Sequence, residues 1–130
     1  MRNSILIVDD SEDTLEVFQS TLEEEGFAVM AAKDAQEALE LLRTHDFSLM
    51  LLDINMPGMT GLQLLEEMRR LGLGQGVPVM LVSAVDNLGS LNLPSNVIDT
   101  LKKPFFYPEL IHKLKSVHGF SAKKESHPNG

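Results

Sequence analysis

The chain contains no cysteine, and its 11 lysines and arginines are outnumbered by 19 aspartates and glutamates. Without cysteine there is no disulfide framework, no thiolate nucleophile and no zinc–thiolate site. A net charge of -8 disfavours direct nucleic-acid binding, which depends on neutralising phosphates; it suits a chain that meets other proteins. No apolar stretch approaches the ~20 residues of a membrane-spanning helix. No positively charged segment precedes an apolar one at the N-terminus. The expectation is a cytoplasmic chain with no membrane partner. What remains is ordinary for one domain with a core of its own: 130 residues, 43% hydrophobic, without internal repeats.

The apolar pattern alternates between two periods. Continuous apolar runs at 4–8, 27–32, 47–52, 77–82 and 97–101 read as buried strands. Between them lie helical repeats. One covers 12–25, with Leu15, Phe18 and Leu22 on one face and Gly26 as its stop. A second follows Asp34-Ala35-Gln36-Glu37, a capping-box pattern, and a third follows Gly61 with Leu62, Leu65 and Met68. The last starts near Pro108 and runs through Leu110, Ile111 and Leu114 to Gly119. Residues 86–96 contain Gly89 and Pro94 and several Asn and Ser, so any helix there is expected to be short or irregular. Residues 120–130 read as a disordered tail after a domain spanning 1–119.

Strands that are apolar throughout and alternate with helices imply a parallel sheet covered on both faces. In such sheets ligands bind outside the carboxyl ends of the strands, at a topological switch point. The chemistry-bearing residues sit there: Asp9 and Asp10 after the first strand, Asp53 after the third, Ser83 after the fourth, and Lys103, followed by Pro104, after the fifth. In strand order 2-1-3-4-5, strands one, three, four and five are neighbours ~4.8 Å apart, and these side chains converge on one cleft. Three carboxylates and one ammonium suit a divalent cation and a phosphoryl group. Each residue alone has a plainer reading: Asp9-Asp10 as a polar exit into a Ser11 helix cap, Asp53 as a turn residue, Ser83 as a loop hydroxyl, Lys103 beside Lys102 as surface charge. His45, His112, His118 and His127 show no ligand spacing, and Glu23-Glu24-Glu25 reads as a solvated helix end.

Together, Asp9-Asp10, the run Asp53-x-x-Met56-Pro57-x-x-x-Gly61, the Ser83 hydroxyl and Lys103-Pro104 resemble the CheY-like receiver domain of two-component response regulators, over about residues 3–118. The resemblance implies a flavodoxin-like five-stranded sheet of order 2-1-3-4-5. It implies that Asp53 takes a phosphoryl group from a histidine kinase or phosphotransfer protein, with Lys103 and Ser83 contacting the phosphoryl oxygens. It also implies Mg2+ (or Mn2+) held by Asp10 and Asp53, by Asp9 through water, and by the main-chain carbonyl of Asn55. Such a domain catalyses only its own phosphorylation and dephosphorylation and acts on a downstream protein. Gly61 is expected to supply turn geometry, and Lys103-Pro104 a cis peptide bond that turns the lysine into the cleft. Asn55 and Val85 would flank the path of the water that removes the phosphoryl group.

Two positions depart from the family pattern. Thr100 stands where an aromatic residue usually reports phosphorylation by reorienting, and the segment after Ser83 is broken by Gly89 and Pro94. An order–disorder change in 86–96 is the expected substitute. The competing readings are a Mg2+-dependent phosphohydrolase working through an aspartyl phosphate, a nucleotide or flavin module, and a receiver that never accepts phosphate. The hydrolase lacks its Asp-x-Asp after strand one, and Asp9-Asp10-Ser11-Glu12 has the wrong charge to cradle a bound phosphate.

Overall fold

The computed structural model describes residues 4–84 and 93–116. Five strands, β1 (Ser4–Val8), β2 (Ala28–Ala32), β3 (Leu49–Asp53), β4 (Val79–Ser83) and β5 (Val97–Lys102), form one sheet of order β2-β1-β3-β4-β5. Every pairing is parallel. Among the described residues four helices connect or follow them: α1 (Glu12–Glu24), α2 (Ala35–Thr44), α3 (Gly61–Leu71) and α4 (Tyr107–Lys115).

The sheet separates two cores, because alternate residues of a strand point to opposite faces. Leu6, Val8, Met50, Leu52 and Leu81 pack with α2 and α3 through Ala38, Leu39, Leu42, Leu64, Leu65 and Met68. Ile5, Ile7, Leu49, Leu51, Met80, Val82 and Leu101 pack on the other face with α1 and α4 through Leu15, Phe18, Leu22, Leu110 and Leu114. Burial of each large side chain contributes roughly 1.5–3 kcal/mol. The central strands are therefore held from both sides, and their carboxyl ends are rigid platforms.

Helix starts follow the local chemistry. Ser11 accepts from the Thr14 N–H, Asp34 from the Glu37 N–H, and Thr60 and Gln63 form a reciprocal capping box. In the Asp34 cap, Glu37 takes the Lys33 N–H rather than that of Asp34, at 2.8 Å. Gly26, at φ 100°, turns the chain out of α1, as its place as a stop signal implies.

Several strand boundaries differ from the sequence expectation. The strands expected at 27–32, 47–52 and 77–82 begin at Ala28, Leu49 and Val79, and the last two end one residue later, at Asp53 and Ser83. The cause is pairing: Leu49 is the first residue of β3 to meet β1, opposite Ile5, whereas Asp53 still pairs with Val82 and Ser83 with Lys102. Phe47 and Phe27 remain buried, contributing to the core from outside the strands. The last helix starts one residue earlier than expected, at Tyr107, with Pro108 in its first turn. The expected short or irregular helix over 86–96 falls largely outside the described residues, of which 93–96 carry a turn and no helix. The expected continuation to Gly119 and the tail at 120–130 also lie outside them.

Candidate phosphoryl and metal site

Asp9 leaves β1 one residue beyond its end, and its carboxylate turns back to accept the Ser11 N–H at 2.9 Å. Asp10, next to it, is exposed. Asp53 is the last residue of β3 and is only 5% exposed. One carboxylate oxygen from each of the three lies within 4.8 Å of the others. Lys103, from the exit of β5, reaches across with Nζ 3.0 Å from Asp9 Oδ2 and 3.7 Å from Asp53 Oδ2. The peptide bond after it, Lys103–Pro104, is cis, as the resemblance implies.

Three carboxylates against one ammonium leave a local excess of negative charge in a half-buried cleft. Burial raises the Asp53 carboxyl above the ordinary aspartate range; Lys103 pulls it down, Asp9 raises it, the Asn55 N–H lowers it and Asp10 raises it again. Burial works against the charge of Lys103. The hydrogen bond and charge of Asp9, followed by those of Asp53, outweigh it and hold the ammonium above the ordinary lysine range. A compact set of carboxylate oxygens is the donor chemistry that hard divalent cations such as Mg2+ prefer, so the residues present fit such an ion.

The loop after β3 is built around the same carboxylate. The Asn55 N–H donates to Asp53 Oδ1 at 3.2 Å, and the Asn55 amide donates from Nδ2 to Ser83 Oγ at 3.3 Å. Ser83 is fully buried, and its carbonyl accepts the Lys103 N–H at 2.8 Å. Asp9, Asp10, Asp53, Ser83, Lys103 and Asn55 are thus gathered at one end of the sheet, as their strand-end positions imply. Val85 lies outside the described residues.

Gly61 departs from the expectation of turn geometry. It is not among the glycines with positive φ; its role is close approach. A Cβ on Gly61 would stand 2.4 Å from the Asp53 carbonyl oxygen and 2.9 Å from Ile54 Cα. The start of α3 is therefore packed directly on the backbone that carries Asp53, tied by the Gly61 N–H to the Ile54 carbonyl at 2.9 Å. The sequence reading also passed over an aromatic cluster beside Lys103. The ring centroids of Phe18 lie 5.7 Å from both Phe105 and Tyr107, which are 5.4 Å from each other. Its signal was available: Phe18 recurs with Leu15 and Leu22 on the inner face of α1, and Phe105 and Tyr107 follow Lys103-Pro104 within four residues.

The family model of the response regulator receiver domain matches residues 5–115. The chain is 36% identical over 119 residues to the transcriptional regulatory protein CpxR homolog of Haemophilus influenzae, covering 88% of this chain and 50% of that protein. It superposes with a TM-score of 0.76 and 30% identity on the response regulator TrrA of Thermotoga maritima, solved in complex with Mg2+ and BeF, covering 87% of this chain and 96% of that one. A second structure of TrrA, bound to the histidine kinase ThkA, matches at a TM-score of 0.75 and 30% identity, with the same 87% and 96% coverage. The chain belongs to the response regulator receiver domain family of two-component systems. It spans about half the length of the curated relatives it matches. Among the described residues no helix is long and apolar enough to cross a membrane.

Proposed function

We propose that this chain is a cytoplasmic phosphoacceptor, with Asp53 the residue that takes a phosphoryl group from a phosphohistidine on a partner histidine kinase or phosphotransfer protein. The observation that carries this reading is the position of the Asp53 carboxylate: it is buried at the end of β3, within 4.8 Å of the carboxylate oxygens of Asp9 and Asp10, with Lys103 Nζ 3.7 Å away. A carboxylate oxygen of Asp53 attacks phosphorus, the P–N bond to the donor histidine breaks, and the imidazole leaves with the bonding pair. Asn55 holds Oδ1 through its main-chain N–H and so orients the carboxylate for this attack. Lys103 keeps its charge throughout the neutral range and neutralises the equatorial oxygens as they approach three carboxylates. Ser83 donates its hydroxyl to another of those oxygens.

Mg2+, which resembling TrrA was solved with, would be held by Asp10 and Asp53, by Asp9 through water, and by the Asn55 carbonyl. When bound it would supply positive charge that offsets the repulsion between these carboxylates and an incoming phosphoryl group. The chain itself then acts only on its own Asp53, forming the aspartyl phosphate and later hydrolysing it. The phosphoryl group changes the surface around residues 84–104 and with it the affinity for a downstream protein. Incubation with Mg2+ and acetyl phosphate, followed by intact-mass measurement, tests the reading. One added phosphoryl group that requires the metal supports it; rapid release of free phosphate with sustained turnover points to a hydrolase; no adduct points to a receiver that does not accept phosphate.

A further inference from the structure

We infer that the hollow beside Lys103 is a subsite for the leaving group of a small-molecule phosphoryl donor, an acyl phosphate whose acyl portion is apolar and ring-sized. The inference rests on Asp53 being the phosphoacceptor and deepens that reading by naming a donor class. Its own basis is a juxtaposition. An open hollow of about 460 Å3, walled by Thr14, Phe18, Pro104, Phe105 and Tyr107, is also lined by Lys103, and the same Lys103 reaches Asp53 Oδ2 with Nζ at 3.7 Å.

The walls come from two elements. Thr14 and Phe18 lie one turn apart on α1 and share a face, while Pro104, Phe105 and Tyr107 follow Lys103 out of β5. Phe18 is buried, and its ring anchors the other two: Phe105 lies tilted against it, and Tyr107 meets both rings edge-on. Phe105 and Tyr107 are only half-buried, so part of this aromatic surface faces water and gains by being covered. The hollow also adjoins the charged cleft: burial raises the Tyr107 phenol, Lys103 lowers it and Asp9 raises it. A phosphoryl group seated between Asp53 and Lys103 therefore brings the substituent it carries to the mouth of the hollow. Charge selects that substituent. Asp9, Asp10 and Asp53 repel an acidic one, the rings favour an apolar one, and the volume is within the range of small-ligand sites. In the step itself an Asp53 carboxylate oxygen attacks phosphorus, the P–O bond to the acyl oxygen breaks, and the carboxylate leaves with the bonding pair.

The test compares the second-order rate constants for Asp53 phosphorylation by benzoyl phosphate and by acetyl phosphate at fixed Mg2+, read by intact mass, in wild type, Tyr107→Ser and Thr14→Phe. The two leaving carboxylates are similar in basicity, so the ratio of the rate constants reads contact with the acyl group. One substitution strips aromatic wall and the other fills the hollow. The ratio of benzoyl to acetyl should be about tenfold in wild type, the discrimination expected of apolar contact in a partly open pocket, and fall toward one in both variants. Thr14→Phe keeps the aromatic cluster, so it reports even where Tyr107→Ser weakens the fold. A wild-type ratio near one overturns the subsite, as does a tenfold ratio that survives in either variant. In both cases acetyl phosphate still labels Asp53, and the phosphoacceptor reading stands. A wild-type protein labelled by neither donor overturns that reading, and the inference with it.

Discussion

Replacing Gly61 by alanine separates close packing from backbone flexibility. At a position without special backbone demands, Gly→Ala stabilises a protein by ~0.4–1 kcal/mol, because the unfolded chain has fewer conformations to lose. Gly61 has no positive φ, so backbone freedom alone predicts a small gain. The structure predicts the opposite sign. The added Cβ would meet the Asp53 carbonyl oxygen at 2.4 Å, about 1 Å inside an ordinary C···O approach of ~3.3–3.6 Å. The obstacle is main chain at the end of a buried strand, so it cannot swing aside as a side chain would. Relief requires α3 to draw back from β3, lengthening the 2.9 Å bond from the Gly61 N–H to the Ile54 carbonyl. Overpacking of this kind costs typically 1–3 kcal/mol, and the upper end applies where backbone must move. With ~2.1 cal/mol/K of unfolding entropy per residue, a loss of ~3 kcal/mol lowers Tm by roughly 10 °C. Thermal unfolding by circular dichroism measures it. The same shift displaces Asp53 from Lys103, so phosphorylation by acetyl phosphate should slow as well. A Tm for Gly61→Ala equal to or above that of wild type would refute the packing argument.

Asp53→Asn should stabilise the metal-free protein at neutral pH, because it removes a buried charge that faces two other carboxylates. The Asp53 carboxyl is raised in the folded state, so its contribution is fully present below its unfolded value near 3.8 and is lost as pH rises through the higher folded value. The Tm advantage of the variant should therefore be small in acid and grow toward pH 7; an advantage that is constant with pH would contradict it. Lys103→Met should destabilise the metal-free protein, since it leaves Asp9 and Asp53 without their cation; unchanged Tm would count against the ion pairs seen here. Mg2+ at a hundredfold excess over its dissociation constant should stabilise wild type by ~2.7 kcal/mol, and calorimetric titration should show Asp10→Asn binding the ion more weakly. Equal Mg2+ affinity in the two proteins would remove Asp10 from the ligand set.

How much of this was readable from the sequence depends on the range of the interaction. Asp9, Asp10, Asp53, Ser83 and Lys103 each end an apolar run, and a parallel sheet necessarily places such ends along one edge. Strand order and cleft therefore followed from the alternation of apolar periods together with the family resemblance. The strand limits were less legible, because hydrophobicity marks burial and not pairing: Phe27 and Phe47 are buried without being in a strand, while the polar Asp53 and Ser83 still pair within theirs. The role of Gly61 was misjudged for a related reason. A glycine in a loop suggests unusual backbone angles, and only three-dimensional packing reveals a carbonyl oxygen where its Cβ would be. The Asn55–Ser83 hydrogen bond spans 28 residues, and no local pattern announces it.

The central claim is that Asp53, and no other residue, carries the phosphoryl group. The most direct measurement is to phosphorylate the protein with acetyl phosphate and Mg2+, reduce the acyl phosphate with borohydride, and map the product by peptide mass spectrometry. Reduction converts a phosphorylated aspartate to homoserine. The structure predicts homoserine at position 53, absent when Mg2+ is chelated and absent from Asp53→Asn. Homoserine at position 9 or 10 in the wild-type protein, or labelling that persists in Asp53→Asn, would contradict the account.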